Sequence, residues 1–145
     1  MLVISKYGLE VRRFDSCSNN WRNSEIRQWI NNDFYNKAFN EKEKKLIIGP
    51  SILESLLGLG DKIFLLTEEE AKKYFAMDES RKCKATEYAV KNGAYKNDEG
   101  YTNWWLRSPT LWLISVYYID NVGKISYNKV DNDNYAVRPA MWIKI

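Results

Sequence analysis

The sequence contains no histidine, only two cysteines and only three prolines in 145 residues. Without histidine there is no imidazole to serve as a general base, a triad member or a metal ligand. Cys17 and Cys83 are too few for a disulfide framework or a structural zinc site; a single bridge is open to them, and two free thiols are favoured. Charge of one sign is also scarce. The 22 basic and 19 acidic residues leave a net charge of +3, too little to point to a nucleic-acid partner. The densest basic stretch, Lys42 to Lys45, has Glu43 inside it and reads as a solvated mixed-charge face. Long apolar runs are missing as well. Leu111-Trp112-Leu113-Ile114 is far too short to span a bilayer, and nothing resembles a signal peptide, so no membrane insertion is expected.

What the sequence has in quantity is aromatic side chains, 14% of the residues, with six tryptophans and ten tyrosines. They supply core area, and they also suit binding surfaces because they carry large contact area on few rotatable bonds. The length fits one domain, 1–145, with one continuous core.

Local patterns outline the elements. Leu2-Val3-Ile4 and Leu9-Glu10-Val11 read as a strand pair broken at Lys6-Tyr7-Gly8. Asn23 or Ser24 can cap a helix whose apolar stripe is Ile26, Trp29, Ile30, Phe34 and Ala38, with Arg27, Gln28, Asn31 and Lys37 on the polar face. The leucine-rich stretch from Gly49 to Gly60 reads as an irregular connection. Asp61 to Leu66 then reads as a buried strand. Thr67-Glu68-Glu69-Glu70 reads as a capping box opening a helix through Ala71, Tyr74 and Phe75. Thr86 can cap a short helix that Gly93 ends, and Asn97 to Gly100 is a turn. From Trp104 onward the chain is strand-like, over Trp104–Arg107, Leu113–Ile119, Lys124–Tyr127 and Ala136–Ile143. Asp120-Asn121-Val122-Gly123 supplies a hairpin turn. Helices first and antiparallel strands after predict an α+β fold, with N-terminal helices packed on a C-terminal antiparallel sheet.

Several spaced motifs carry a resemblance. Trp21 with Asn23-Ser24, Ile26-Arg27 and Trp29-Ile30-Asn31 opens the set. Asp61 to Leu66, Glu70-Ala71, Tyr74-Phe75, Arg81, Thr86, Tyr88-Ala89 and Gly93 follow. Trp104-Trp105-Leu106-Arg107-Ser108-Pro109, Gly123 and Val137-Arg138-Pro139-Ala140 close it. Together they resemble a bacterial and phage family of domains of unknown function, over nearly the whole chain. The resemblance implies a C-type-lectin-like fold, in the version shared with formylglycine-generating enzymes. It also implies an N-terminus trimmed by about one strand. Some proteins of this type are the variable products of diversity-generating retroelements, in which a C-terminal segment is diversified between fixed motifs. By that resemblance, Trp104–Pro109 and Val137–Trp142 are framework, and the stretch between them is the ligand face.

The residues themselves set a structural reading beside a functional one. Arg107 and Arg138, each beside a proline, read as buried hydrogen-bonding groups with Asp61 as a plausible acceptor; the alternative makes Arg107 an anion binder. In 111–135 the aromatics cannot all face one core, because a strand alternates sides, and Tyr117-Tyr118 is expected to turn one ring outward. Tyrosine mixed with serine, asparagine and aspartate is the composition of an antibody-like paratope. The expected ligand-binding residues are Leu111, Trp112, Leu113, Ser115, Tyr117, Tyr118, Tyr127, Asn128, Asp131, Asp133 and Tyr135. Alanine at Tyr117, Tyr118 and Tyr135 is expected to abolish binding and leave the fold intact.

Asp131-Asn132-Asp133-Asn134 lacks the glycine and glutamate of a calcium loop and reads as a solvated turn. Glu68 to Glu70 read as negative charge at a helix start rather than as paired catalytic acids. Both cysteines precede Trp104, so the C-terminal thiols of formylglycine-generating enzymes have no counterpart. Three functions stay open: a metal-independent, non-enzymatic domain binding a protein or glycan; a structural module of a phage particle or bacterial surface protein; and, disfavoured, an enzyme of the formylglycine-generating type. No cofactor is expected.

Overall fold

Short polar side chains set where the helices begin. In the computed structural model, which describes residues 1–49, Leu56 and 60–145, Asn20 caps a single 3-10 turn, Trp21–Asn23. Ser24 Oγ then accepts from the Arg27 amide at 3.2 Å and opens α1, Glu25–Trp29. The expected uniform helix to Ala38 is interrupted. The backbone widens into a π turn, Ile30–Phe34, before α2, Tyr35–Ala38. Ile26 and Ile30, before and at the start of that turn, are fully buried, while Phe34 at its end is only partly covered. Asn40 and Glu43 form a capping box for α3, Glu41–Lys44, which places the basic stretch on an exposed helical turn. Most of the leucine-rich connection after Gly49 lies outside the described residues.

Asp61 to Leu66 is buried as expected at Ile63, Leu65 and Leu66, but it is not a strand. Only Phe64 pairs, in an isolated antiparallel bridge with Ala140. Asn31 replaces the missing ladder. Its Oδ1 accepts from the amides of Lys62 and Ile63 at 2.7 and 3.0 Å, and its Nδ2 donates to the Ile63 carbonyl at 2.9 Å. A buried backbone needs partners, and one helical amide side chain supplies three of them. Thr67 Oγ1 caps α4, Glu68–Tyr74, by accepting from the Glu70 amide. Two short helices follow: α5, Asp78–Arg81, and α6, Glu87–Lys91, the latter capped by Thr86 and followed by Gly93 at φ +110°.

Two sheets carry the rest. β8 (Ala140–Ile143) lies between β1 (Leu2–Ile4) and β3 (Ile47–Ile48), antiparallel to both. The larger sheet runs in the order β2 (Glu10–Val11), β7 (Ala136–Val137), β4 (Trp104–Pro109), β5 (Ser115–Ile119), β6 (Ile125–Lys129). Its pairs are antiparallel except β4 with β7, which is parallel. The fold is therefore α+β, with two corrections to the sequence reading. Leu2–Ile4 and Leu9–Val11 do not pair with each other; each extends into a different sheet. The single strand expected over Ala136–Ile143 breaks at Arg138-Pro139, where proline has no amide for a ladder, and feeds both sheets.

Gly123 closes the β5–β6 hairpin at φ +85°, and a Cβ there would sit 1.8 Å from the Asp78 carbonyl oxygen. Only glycine tolerates both the backbone angle and that approach. Arg81, buried beside it, donates through Nε to the Gly123 carbonyl at 2.8 Å and through Nη1 to the Phe75 carbonyl at 2.7 Å.

The larger sheet is covered on both faces. Trp105, Val116, Tyr118 and Tyr135 belong to one core with Ile26 and Ile30 of the helices. Trp104, Leu106, Ile119 and Tyr117 belong to a second with Leu66 and Ala71. Trp104 and Trp105 point to opposite faces, and both are fully buried.

Candidate functional site

One end of the larger sheet is built to hold a protruding loop still. β4 leaves the sheet at Pro109, the chain turns through Thr110–Ile114, and it returns as β5. The loop's carbonyls converge on Asn19. Its Nδ2 lies 3.1 Å from the Thr110 carbonyl oxygen and 2.9 Å from those of Trp112 and Ser115, and its backbone amide donates to the Leu113 carbonyl at 2.8 Å. Thr110 Oγ1 accepts from the Trp112 amide at 3.1 Å, and the Val130 amide donates to the Ile114 carbonyl at 2.8 Å. The carbonyls of Thr110, Trp112, Leu113 and Ile114 are bonded inward, and the side chains are left outward. Leu111 is 100% exposed, Trp112 67% and Leu113 80%.

Asn19 is itself positioned by Asp15. The Asp15 carboxylate accepts from the amides of Cys17, Ser18 and Glu25 at 2.9–3.1 Å. Burial pushes this carboxyl up, but the three amides outweigh that and hold it below its ordinary value. The 15–19 loop is thus fixed to the start of α1 and carries Asn19 to the tip.

The eleven residues expected to bind ligand divide into two groups. Leu111, Trp112, Leu113, Asp131 and Asp133 are exposed around this end of the sheet, and Tyr127 is exposed on the edge strand β6. Tyr117 is half-buried, edge-on to Tyr127 at 6.4 Å. The others point inward. Ser115 and Tyr135 are buried, Tyr118 stacks on Tyr135 at 4.4 Å, and Tyr135 lies 4.7 Å from Trp105. Asn128 donates to the Tyr135 hydroxyl at 2.8 Å, a structural bond. Burial pushes the Tyr135 phenol well up, and its bond with Tyr118 adds to this. Tyr117 and Tyr118 face opposite ways, but the expected outward ring is not found, because both faces of the sheet are covered there. Ser115, Tyr118, Asn128 and Tyr135 therefore hold the surface from behind.

The two motif arginines differ from each other. Arg138 is buried with no carboxylate partner among the described residues. Its Nε donates to the Ser5 carbonyl at 2.8 Å, its plane lies over Phe75 and Trp104, and its Nη1 makes no bond among the described residues. Arg107 donates through Nη2 to Glu70 at 2.9 Å. That bond removes the reciprocal half of the expected capping box, because the Glu70 carboxylate turns to Arg107 rather than back to Thr67. Asp61 is the acceptor for neither arginine. It takes Arg27 Nε at 2.5 Å and Trp21 Nε1 at 2.8 Å.

Arg107, Glu70 and Asp61 line a cavity of about 310 Å³ that the sequence reading did not anticipate. Its described residues come from seven separate parts of the chain, and Arg107 is the one among them that the sequence singled out as an anion binder. Cys17 is exposed, Cys83 is buried, and both are free. Among the described residues no group of three carboxylates or thiols is placed to hold a metal ion, and no helix is long and apolar enough to cross a membrane.

The chain belongs to the DUF6273 family, a domain of unknown function, whose model matches residues 1–145. No curated protein and no solved structure matches the chain.

Proposed function

We propose that this DUF6273 domain is a non-enzymatic recognition module of C-type-lectin-like architecture that grips a protein partner with the Leu111-Trp112-Leu113 tip. The observation that supports it is an apolar tip, largely exposed, whose flanking carbonyls are held by Asn19 and whose Trp112 amide is held by Thr110. Each such side chain contributes on the order of 1.5–3 kcal/mol when buried against a partner. Holding the loop in advance removes the ordering cost that a floppy loop would incur on binding. A convex apolar tip is matched by an apolar cleft on a protein better than by a polar glycan, and this orders the two ligand classes. Asp131, Asp133 and Tyr127, also exposed, would add polar and aromatic contacts. The resemblance to retroelement-diversified proteins adds a genomic expectation: a near-copy of the codons for 111–135, differing at adenines, near a reverse-transcriptase gene.

The test is a variant with Leu111, Trp112 and Leu113 all replaced by serine. Their exposure predicts an unchanged melting temperature. Wild-type domain immobilised on beads should retain a partner from host-cell extracts that the variant does not. If both retain the same proteins, the tip is not the contact. If wild type alone self-associates in solution, the tip is a subunit contact and the domain is a structural module.

A further inference from the structure

None of the residues lining the 310 Å³ cavity belongs to the 111–135 segment, so it is a site in its own right. Among the described residues, three charged side chains line it. Asp61 is already committed to Arg27 and to the Trp21 indole, and that pair is close to neutral. Glu70 and Arg107 remain as one adjacent pair of opposite charges, 2.9 Å apart and each side chain about 30% exposed (27% and 30%). The contact uses only Nη2 of Arg107; its Nε is buried without a hydrogen-bond partner among the described residues, so a ligand in the cavity would meet the Nη end of the guanidinium. The rest of the wall is apolar or aromatic. Ile48, Tyr74 and Trp142 are each more than 40% exposed, with Leu2 beside them.

A ligand with a single charge is mismatched here. A simple anion on Arg107 meets the Glu70 carboxylate, and a simple cation on Glu70 meets the guanidinium. A molecule carrying both charges on neighbouring atoms meets the pair in reversed order, its carboxylate on the Arg107 fork and its ammonium on Glu70. The cavity is at the small end of the roughly 300–1,000 Å³ range for small-molecule sites, which excludes a dinucleotide-sized ligand. We propose that this cavity binds a free α-amino acid with an apolar or aromatic side chain, the head group on Arg107 and Glu70 and the side chain against Trp142, Tyr74 and Ile48.

Titration calorimetry and thermal shift on the intact domain test this with four probes. L-phenylalanine or L-leucine should bind and raise the melting temperature. 3-Phenylpropionate, which lacks the ammonium, and phenethylamine, which lacks the carboxylate, should bind at least tenfold more weakly. Arg107→Gln should weaken amino-acid binding at least tenfold. Because that change also breaks an ion pair, Trp142→Ala at a half-exposed position serves as a second variant; it should keep the melting temperature and weaken binding several-fold. Absence of binding by either amino acid at millimolar concentration overturns the proposal. So does equal binding of a singly charged analogue, or unaltered binding by both variants. The tip variant with serines at 111–113 should bind the amino acid normally, which separates this site from the recognition surface.

Discussion

Asp15 shows how one buried carboxylate reaches the surface it never touches. Its three amide donors hold its carboxyl below the ordinary value in the folded chain, so the unfolded chain takes up a proton at higher pH than the folded one does. The stability it contributes is present above about pH 4, the unfolded carboxyl's value, and is lost as pH falls through the lower folded value. Asp15→Asn should therefore lower stability at pH 7 by about 1–3 kcal/mol. The difference from wild type should shrink in chemical denaturation below about pH 4. A constant difference across that range would show that the charge of Asp15 is not what the amides stabilise.

At the scale of the element, the tip loop is an exposed segment with a buried-quality backbone. Its stillness depends on Asn19, which is separated from it by more than ninety residues of sequence. Asn19→Ala should leave the Thr110, Trp112 and Ser115 carbonyls without that donor, costing about 1–3 kcal/mol. Amide exchange over 110–115 should speed up more than elsewhere in the sheet. Partner binding should weaken as well, although the tip side chains are unaltered. Asn31 plays the same part for Lys62 and Ile63. In both cases an asparagine that looks like an ordinary polar residue in the sequence acts as the missing strand neighbour for a distant backbone.

For the whole molecule, the decisive feature is that the larger sheet has no solvent face over its central strands. Aromatic residues on β5 and β7's approach therefore serve two cores, and the available surface lies at the sheet's end and on its edge strand. Tyr135→Ala removes a ring packed against both Trp105 and Tyr118. It should cost about 3–5 kcal/mol, the range for deleting a large buried aromatic. Thermal unfolding checks this, and an unchanged melting temperature would return Tyr135 to the ligand surface. Alanine at Tyr118 or Tyr135 is thus a test of stability, and the binding test moves to Leu111, Trp112 and Leu113.

The sequence by itself determined whatever depends on near neighbours. Ser24, Thr67 and Thr86 announced helix starts because a cap acts within three residues. Asp120 to Gly123 announced the hairpin because the turn needs a glycine at positive φ. The order of helices and strands announced an α+β fold. Alternation along β5 placed Tyr117 and Tyr118 on opposite faces, but it could not tell that neither ring turns out to solvent. Only the tertiary structure decided which faces water reaches, because coverage depends on helices and loops that pack from elsewhere in the chain. The same reason explains the mispaired N-terminal strands, the partner of Arg107 and the cavity beside it. Each is a meeting of segments far apart in sequence, and no local pattern records which distant group arrives.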